Sequence, residues 1–321
     1  GGFALLAGSQ ASEAVGRTYF DARILGAPAV FLNLALSGYF IGTGRSAQAL
    51  AMAIAQNIGN ALLNVWFIWG LGLQARGAGL ASMASQYLAL GVALVLLLAS
   101  RPRWPSQLRS LLNGDAIRAL FALNRDLLIR TLLMLTVFAT FTNVSALGGE
   151  ERLAAFAILI RLHTAAAYVV DGAAFSLEAL VGGLWHQGRR EELRWLVRFA
   201  MTLALAAATV LALVLIVGGP WVYGMLTEHA QVIRIARRFE LWMIATLYAG
   251  VVAWIFDGLF IGLTWGRRLR RAAWWSAAAF VPGASYAWWV NDPTVLWMAF
   301  FAFTAARAAT LGKAWRAVER A

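Results

Sequence analysis

The chain has 321 residues, of which 61% are hydrophobic and only 13% charged, with a mean hydropathy of +0.69. Soluble proteins average roughly 45–50% apolar and 25% charged residues, so this composition marks an integral membrane protein and excludes a soluble domain. The net charge of +12 comes from 27 basic residues, all arginine except Lys313, and they fall mainly between the apolar runs, which suits membrane topology rather than nucleic-acid binding. The absence of cysteine excludes a disulfide framework, a thiolate metal site and a cysteine nucleophile.

In chain order, Gly1 to Ser9 lacks the basic, apolar and cleavage-site order of a signal peptide, and with no initiator Met the start reads as cut. Apolar runs of about 18 or more residues, bounded by Arg, Gly or Pro, predict an all-α bundle of nine spans. They run over 18–43, 47–72, 78–100, 126–147, 153–184, 195–217, 236–265, 272–290 and 294–312. The polar stretch 101–125, which opens Arg101-Pro-Arg-Trp-Pro105, reads as a linker. It separates 1–100, the second half of a first lobe, from 126–321, a six-helix second lobe.

Arg45, Arg101 to Arg130, Arg189 to Arg198, Arg267 to Arg271 and Arg307 to Arg320 make every alternate connection basic. The positive-inside rule places these connections in the cytoplasm, with Arg234, Arg237 and Arg238 as the exception. Fifteen Trp read mostly as interfacial residues, with Trp254 a candidate for lining a cavity.

Gly38-Tyr-Phe-Ile-Gly42 recurs 220 residues later as Gly258-Leu-Phe-Ile-Gly262, each followed shortly by Gly-Arg. An offset kept without gaps argues for a duplicated unit. It predicts three further helices upstream of Gly1, over roughly 94 residues, and parallel repeats of the kind found in secondary transporters. The glycines would let neighbouring helices approach closely.

Polar groups inside the spans are candidates for function. Asn57, Asn60 and Asn64 share one helix face, which must meet protein, water or an ion, or bond between helices. Thr164, Tyr168, Asp171, Phe175, Glu178 and Gly182 form a second stripe. A carboxylate within a span is expensive and, by default, either carries a proton or balances a cationic substrate; Asp171 could equally pair with an Arg. Asp257 precedes the repeated Gly258, where a local hydrogen-bonding role outweighs a site in the second lobe. Arg130 with Asp126, and Arg23 with Asp21, read as snorkelling pairs at span ends. His163 has no carboxylate at ligand spacing, so no metal or cofactor is expected.

The stretches Leu123-Asn-Arg-Asp-Leu-Leu-Ile-Arg-Thr131, Ala167-Tyr-Val-Val-Asp-Gly172, Glu178-Ala-Leu-Val-Gly182, Phe256-Asp-Gly-Leu-Phe-Ile-Gly262 and Gly77-Ala-Gly-Leu-Ala-Ser82 carry a resemblance. Together they resemble the multidrug and toxic compound extrusion (MATE) family, in its DNA-damage-inducible F branch. The resemblance implies twelve helices in two lobes and a monomeric antiporter of the bacterial inner membrane. Such a protein exchanges protons or sodium ions for organic, often cationic, compounds. It further implies a first-lobe site in which Asn60 matches the family's Asn, Ser82 replaces a Thr, and Asn64 stands where an Asp is expected. Asn64 can neither release a proton nor add negative charge. Rival readings are a lipid-linked precursor flippase of the same superfamily, disfavoured by Arg at span ends; an inactive truncated remnant; and a membrane acyltransferase using His163.

Overall fold

The computed structural model describes residues 10–100 and 114–319. Residues 1–9, the 101–113 part of the expected linker, and residues 320–321 lie outside the described residues. The chain divides into two compact units, Gly1–Leu111 and Leu112–Ala321. The first holds α1 (Gln10–Ile24), α2 (Ala27–Gly42), α3 (Ser46–Asn64), a π-helical turn (Val65–Gly70) and α4 (Gln74–Ala99). The second holds α5 (Gly114–Ala146), α6 (Glu150–His186), α7 (Arg190–Leu226), α8 (Ala230–Gly262), α9 (Gly266–Val290) and α10 (Pro293–Glu319). Helices satisfy their own backbone groups, which hydrocarbon cannot do for them.

Seven helices among the described residues are long and apolar enough to span a membrane, or eight if α1 and α2 make one broken span. The expected nine differs for two reasons. The run over 18–43 is bent by 55° between α1 and α2, where Pro28 lies in the first turn of α2 and has no N–H to continue the ladder. The equivalent position 220 residues on is Tyr248, and α8 runs unbroken through it. The other reason is α9, which is long enough but whose arginines, tryptophans and Pro282 lower its hydropathy. At 37 residues each, α6 and α7 extend about 55 Å, so their charged ends must emerge from a ~30 Å core.

In the first unit α4 packs against α1, α2 and α3. In the second, α6 packs on α8, α8 on α10, α10 on α9, and α9 on α5. Two apolar clusters fill that unit. One is aromatic, with Trp297 edge-on to Phe141 at 5.1 Å and to Phe156 at 5.4 Å. The other joins Val170 and Leu177 of α6 to Leu259 and Phe260 of α8. The basic group on the unexpected side of α8 is partly neutralised within its own helix, since Arg237 pairs with buried Glu240 at 3.3 Å.

The repeat is present in the backbone. Thr43 N–H donates to Tyr39 O, Gly44 to Ile41 O and Arg45 to Phe40 O at 3.0, 3.0 and 2.7 Å. Leu263, Thr264 and Trp265 donate to Leu259, Ile261 and Phe260 at 3.0, 2.8 and 2.8 Å. The same offset relates the ends of α2 and α8, the starts of α3 and α9, the ends of the π turn and α9, and the ends of α4 and α10. The turn needs a left-handed residue, which is Gly44 at φ +74° in one copy and Thr264 at φ +59° in the other. A β-branched residue there is strained. Thr264→Gly is therefore expected to stabilise the protein by about 1 kcal/mol and raise its unfolding midpoint by about 2 °C in a detergent thermal-shift assay; a lower midpoint would contradict this.

The repeated glycines behave differently in the two copies. A Cβ at Gly258 would run into the backbone of Ala174, and one at Gly262 into the Glu178 carbonyl. At Gly38 and Gly42 nothing described lies within 4 Å. Close packing through this motif is thus seen only in the second copy, where it seats α8 against α6.

Candidate functional site

Each unit contains a polar cluster. In the first, the α3 spacing places Asn60 and Asn64 one turn apart, and Asn64 Nδ2 donates to Asn60 Oδ1 at 2.9 Å. Asn60 Nδ2 reaches Ser82 Oγ and Ser85 Oγ of α4, each at 3.5 Å. The predicted Asn60, Asn64 and Ser82 therefore meet. Asn57 does not join them, being exposed and donating to Ala53 O of its own helix at 2.9 Å. Buried Ser85 was missed, although it lies one turn beyond Ser82 on the same helix. The π turn begins directly after Asn64, and such turns often mark functional positions. All four side chains are neutral, so this cluster offers hydroxyl and amide groups but no charge.

In the second unit the cluster is ionic. Asp257, buried on α8, receives Arg130 Nη2 of α5 on Oδ2 at 2.6 Å, and Arg307 Nη2 of α10 donates to the same oxygen. Asp257 is thus hydrogen-bonded, though to partners on other helices, 127 and 50 residues away in sequence. Arg130 is not part of a snorkelling pair with Asp126, which instead binds Arg270 and, at 3.4 Å, Arg125. Arg307 is 3% exposed and lies within α10 rather than in a connection after it. Its other amino group contacts Met134 Sδ at 3.2 Å. Asp257 Oδ1 and Arg130 Nε are buried without hydrogen-bond partners among the described residues.

Two guanidiniums against one carboxylate leave this trio with a surplus positive charge. Asp171 on α6 lies within electrostatic reach of Asp257 and Arg130, and Glu178 within reach of Arg130. Both are half-buried and have no ion pair among the described residues. They bring a net negative balance to the five-residue group Arg130, Asp171, Glu178, Asp257 and Arg307. Tyr168, on the same stripe, is 72% exposed and outside it. Thr164 bonds to its own helix at Ile160 O.

His163 is 3% exposed and packs edge-on against Trp254 and Phe300 at 5.2 and 5.8 Å. Trp254 thus lies against a core ring, and no polar catalytic group accompanies the imidazole among the described residues. No cluster of three metal-ligating side chains occurs among them either.

Long apolar helices enclosing a buried ionic network define the class as a polytopic integral membrane protein. The MatE family pattern matches residues 127–288, and the DNA damage-inducible protein F of Escherichia coli is 30% identical over 97% of this chain and 68% of its own length. The chain belongs to the MatE family, whose members are transporters and not enzymes. Protein DETOXIFICATION 45, chloroplastic, of Arabidopsis thaliana is 28% identical over 77% of the chain, which spans 44% of that relative. Among solved structures, a MOP superfamily transporter from Pyrococcus furiosus, described as having a binding pocket of reverse polarity, aligns with a TM-score of 0.88. Its identity is 16%, over 99% of this chain and 72% of that one. A Vibrio cholerae MATE transporter gives 0.85 at 18% identity, with the same coverages. At these identities the two structures show a shared fold.

Proposed function

We propose that the intact protein is a secondary efflux transporter of the bacterial inner membrane, exchanging protons or sodium ions for organic, often cationic, compounds. Asp171, with Glu178 beside it, is the coupling carboxylate. The observation that carries this reading is the half-buried, unpaired Asp171 standing opposite Arg130 in the Arg130–Asp257–Arg307 network. A carboxylate so placed exchanges one counter-charge for another: when it binds a proton or cation, its hold on Arg130 relaxes. Asn60, Asn64 and Ser82 contribute a neutral polar lining to the first lobe, which fits organic substrate or water better than a coupling cation. A flippase for anionic lipid-linked precursors would need free guanidiniums, whereas Asp257 engages both Arg130 and Arg307.

The test is ethidium efflux from vesicles containing the complete gene product, under an imposed proton or sodium gradient. Gradient-driven efflux is expected in the natural protein and loss of its gradient dependence in Asp171→Asn. Absence of gradient-driven efflux for every cation tried would sink the antiport reading. Unchanged coupling in the variant would remove Asp171 from the ion path.

A further inference from the structure

A groove follows the line between α5 and α9, away from both polar clusters. Its apolar part, about 610 Å³, is walled by Leu133, Val137 and Thr140 on one side and Ala278, Val281 and Ala284 on the other. Thr136 also faces it, but its hydroxyl is committed to Leu132 O at 2.9 Å. Trp274 and Trp288 stand at its two ends. A second cleft of about 730 Å³ lies between the same helices at their basic ends, with Leu123 and Asp126 facing Arg267 and Arg268.

The exposed stripe of α9 joins the two. Arg267, Arg271, Trp274, Ala278, Val281 and Trp288 follow one another at helical spacing, and all are exposed. Of the arginines here, Arg270 is held by Asp126, and Arg268 donates to Ala314 O at 2.9 Å while lying over Trp265. Arg267 and Arg271 have no carboxylate or carbonyl partner among the described residues. They are one turn apart, close enough to share one phosphate. From Trp274 to Ala284 the apolar track rises ten residues, about 15 Å, which is one leaflet's half of a ~30 Å core.

We infer that this groove holds an anionic phospholipid of the cytoplasmic leaflet. The phosphate sits between Arg267 and Arg271, the Trp274 ring lies at the interface, and one acyl chain runs along α5 and α9. Guanidiniums match phosphate geometry bidentately and repel cationic compounds, which argues against the groove as a path for such substrates. The apolar track argues for a lipid tail over a soluble anion, since it would gain nothing from inorganic phosphate. The inference does not depend on the coupling role proposed for Asp171.

The experiment uses this chain in nanodiscs of phosphatidylcholine containing a trace of phosphatidylglycerol with a photoreactive acyl chain. Labelling is expected at Val137, Thr140, Ala278 and Val281, competed by unlabelled phosphatidylglycerol and not by added phosphatidylcholine. Each arginine near an anionic headgroup is worth about fivefold, so the double variant R267Q/R271Q should label roughly 25-fold less. Ala278→Trp, which fills the groove without altering charge, should also abolish labelling there. Circular dichroism and elution volume establish that both variants are folded. Labelling spread evenly over the lipid-facing helices, equal labelling by a phosphatidylcholine probe, or its persistence in the double variant would overturn the inference. Competition by inorganic phosphate or by ethidium would assign the groove to a free anion or to a substrate, and overturn it as well.

Discussion

Asp257→Asn is expected to destabilise the second unit by about 3–5 kcal/mol, the usual effect of removing one partner from a buried ionic group. Its side chain is 7% exposed, and those of Arg307 and Arg130 are 4% and 17% exposed. Without the carboxylate, two guanidiniums would share one interior with no anion bonded to either. Arg130 can relieve part of this by turning toward Asp171 or Glu178, whereas Arg307, enclosed on α10, has no such option. Arg307→Met in the Asp257→Asn background should therefore recover more than half of the loss, and Arg130→Met should recover less. Folded fraction against denaturant in detergent provides the measurement. A single variant within ~0.5 kcal/mol of the parent would mean that the trio carries no structural weight.

Leucine substitutions at Gly258 and Gly38 should have opposite signs, although the two residues are equivalent in the repeat. At Gly258 the new side chain meets the Ala174 backbone, which cannot rotate aside, so α6 and α8 must separate along the most extensive helix pair of the unit. Overpacking of this kind costs about 1–3 kcal/mol, and more where backbone must move. At Gly38 of this chain a Cβ meets none of the described residues within 4 Å, and replacing a mid-helix glycine gains up to ~1 kcal/mol in helix propensity. Melting temperatures of the two variants, measured side by side, decide the matter: equal losses would deny the asymmetry.

The helices were legible because apolar runs bounded by arginine and glycine are the strongest signal a membrane sequence carries, and Phe199 to Val217 shows it without interruption. The break at Gly26–Pro28 was written there too, in a proline that a hydropathy reading passes over. In the first unit, Asn60 and Asn64 could be paired because they lie on one helix, and a family motif supplied Ser82. The ionic cluster was not legible, since Arg130, Asp257 and Arg307 come from three helices and nothing local links them. Their signal was nonetheless available: Arg130 and Arg307 fall inside the predicted spans 126–147 and 294–312, and a charge inside a span merits the same attention that Asp171 received. Counting Arg307 with the basic tail concealed it.

The duplicated frame places each unit's special residues opposite ordinary ones. Asn60, Asn64, Ser82 and Ser85 correspond to Phe280, Ala284, Ala302 and Ala305, of which the first two are closed into aromatic and aliphatic packing. Asp257 and Arg307 correspond to Ser37 and Tyr87. What was copied is the main-chain scaffold, down to the hydrogen bonds of one turn, while among the described residues the interior polar groups differ, amides and hydroxyls in one unit and ions in the other. Among the described residues, chemistry that depends on buried charge is therefore confined to the second unit.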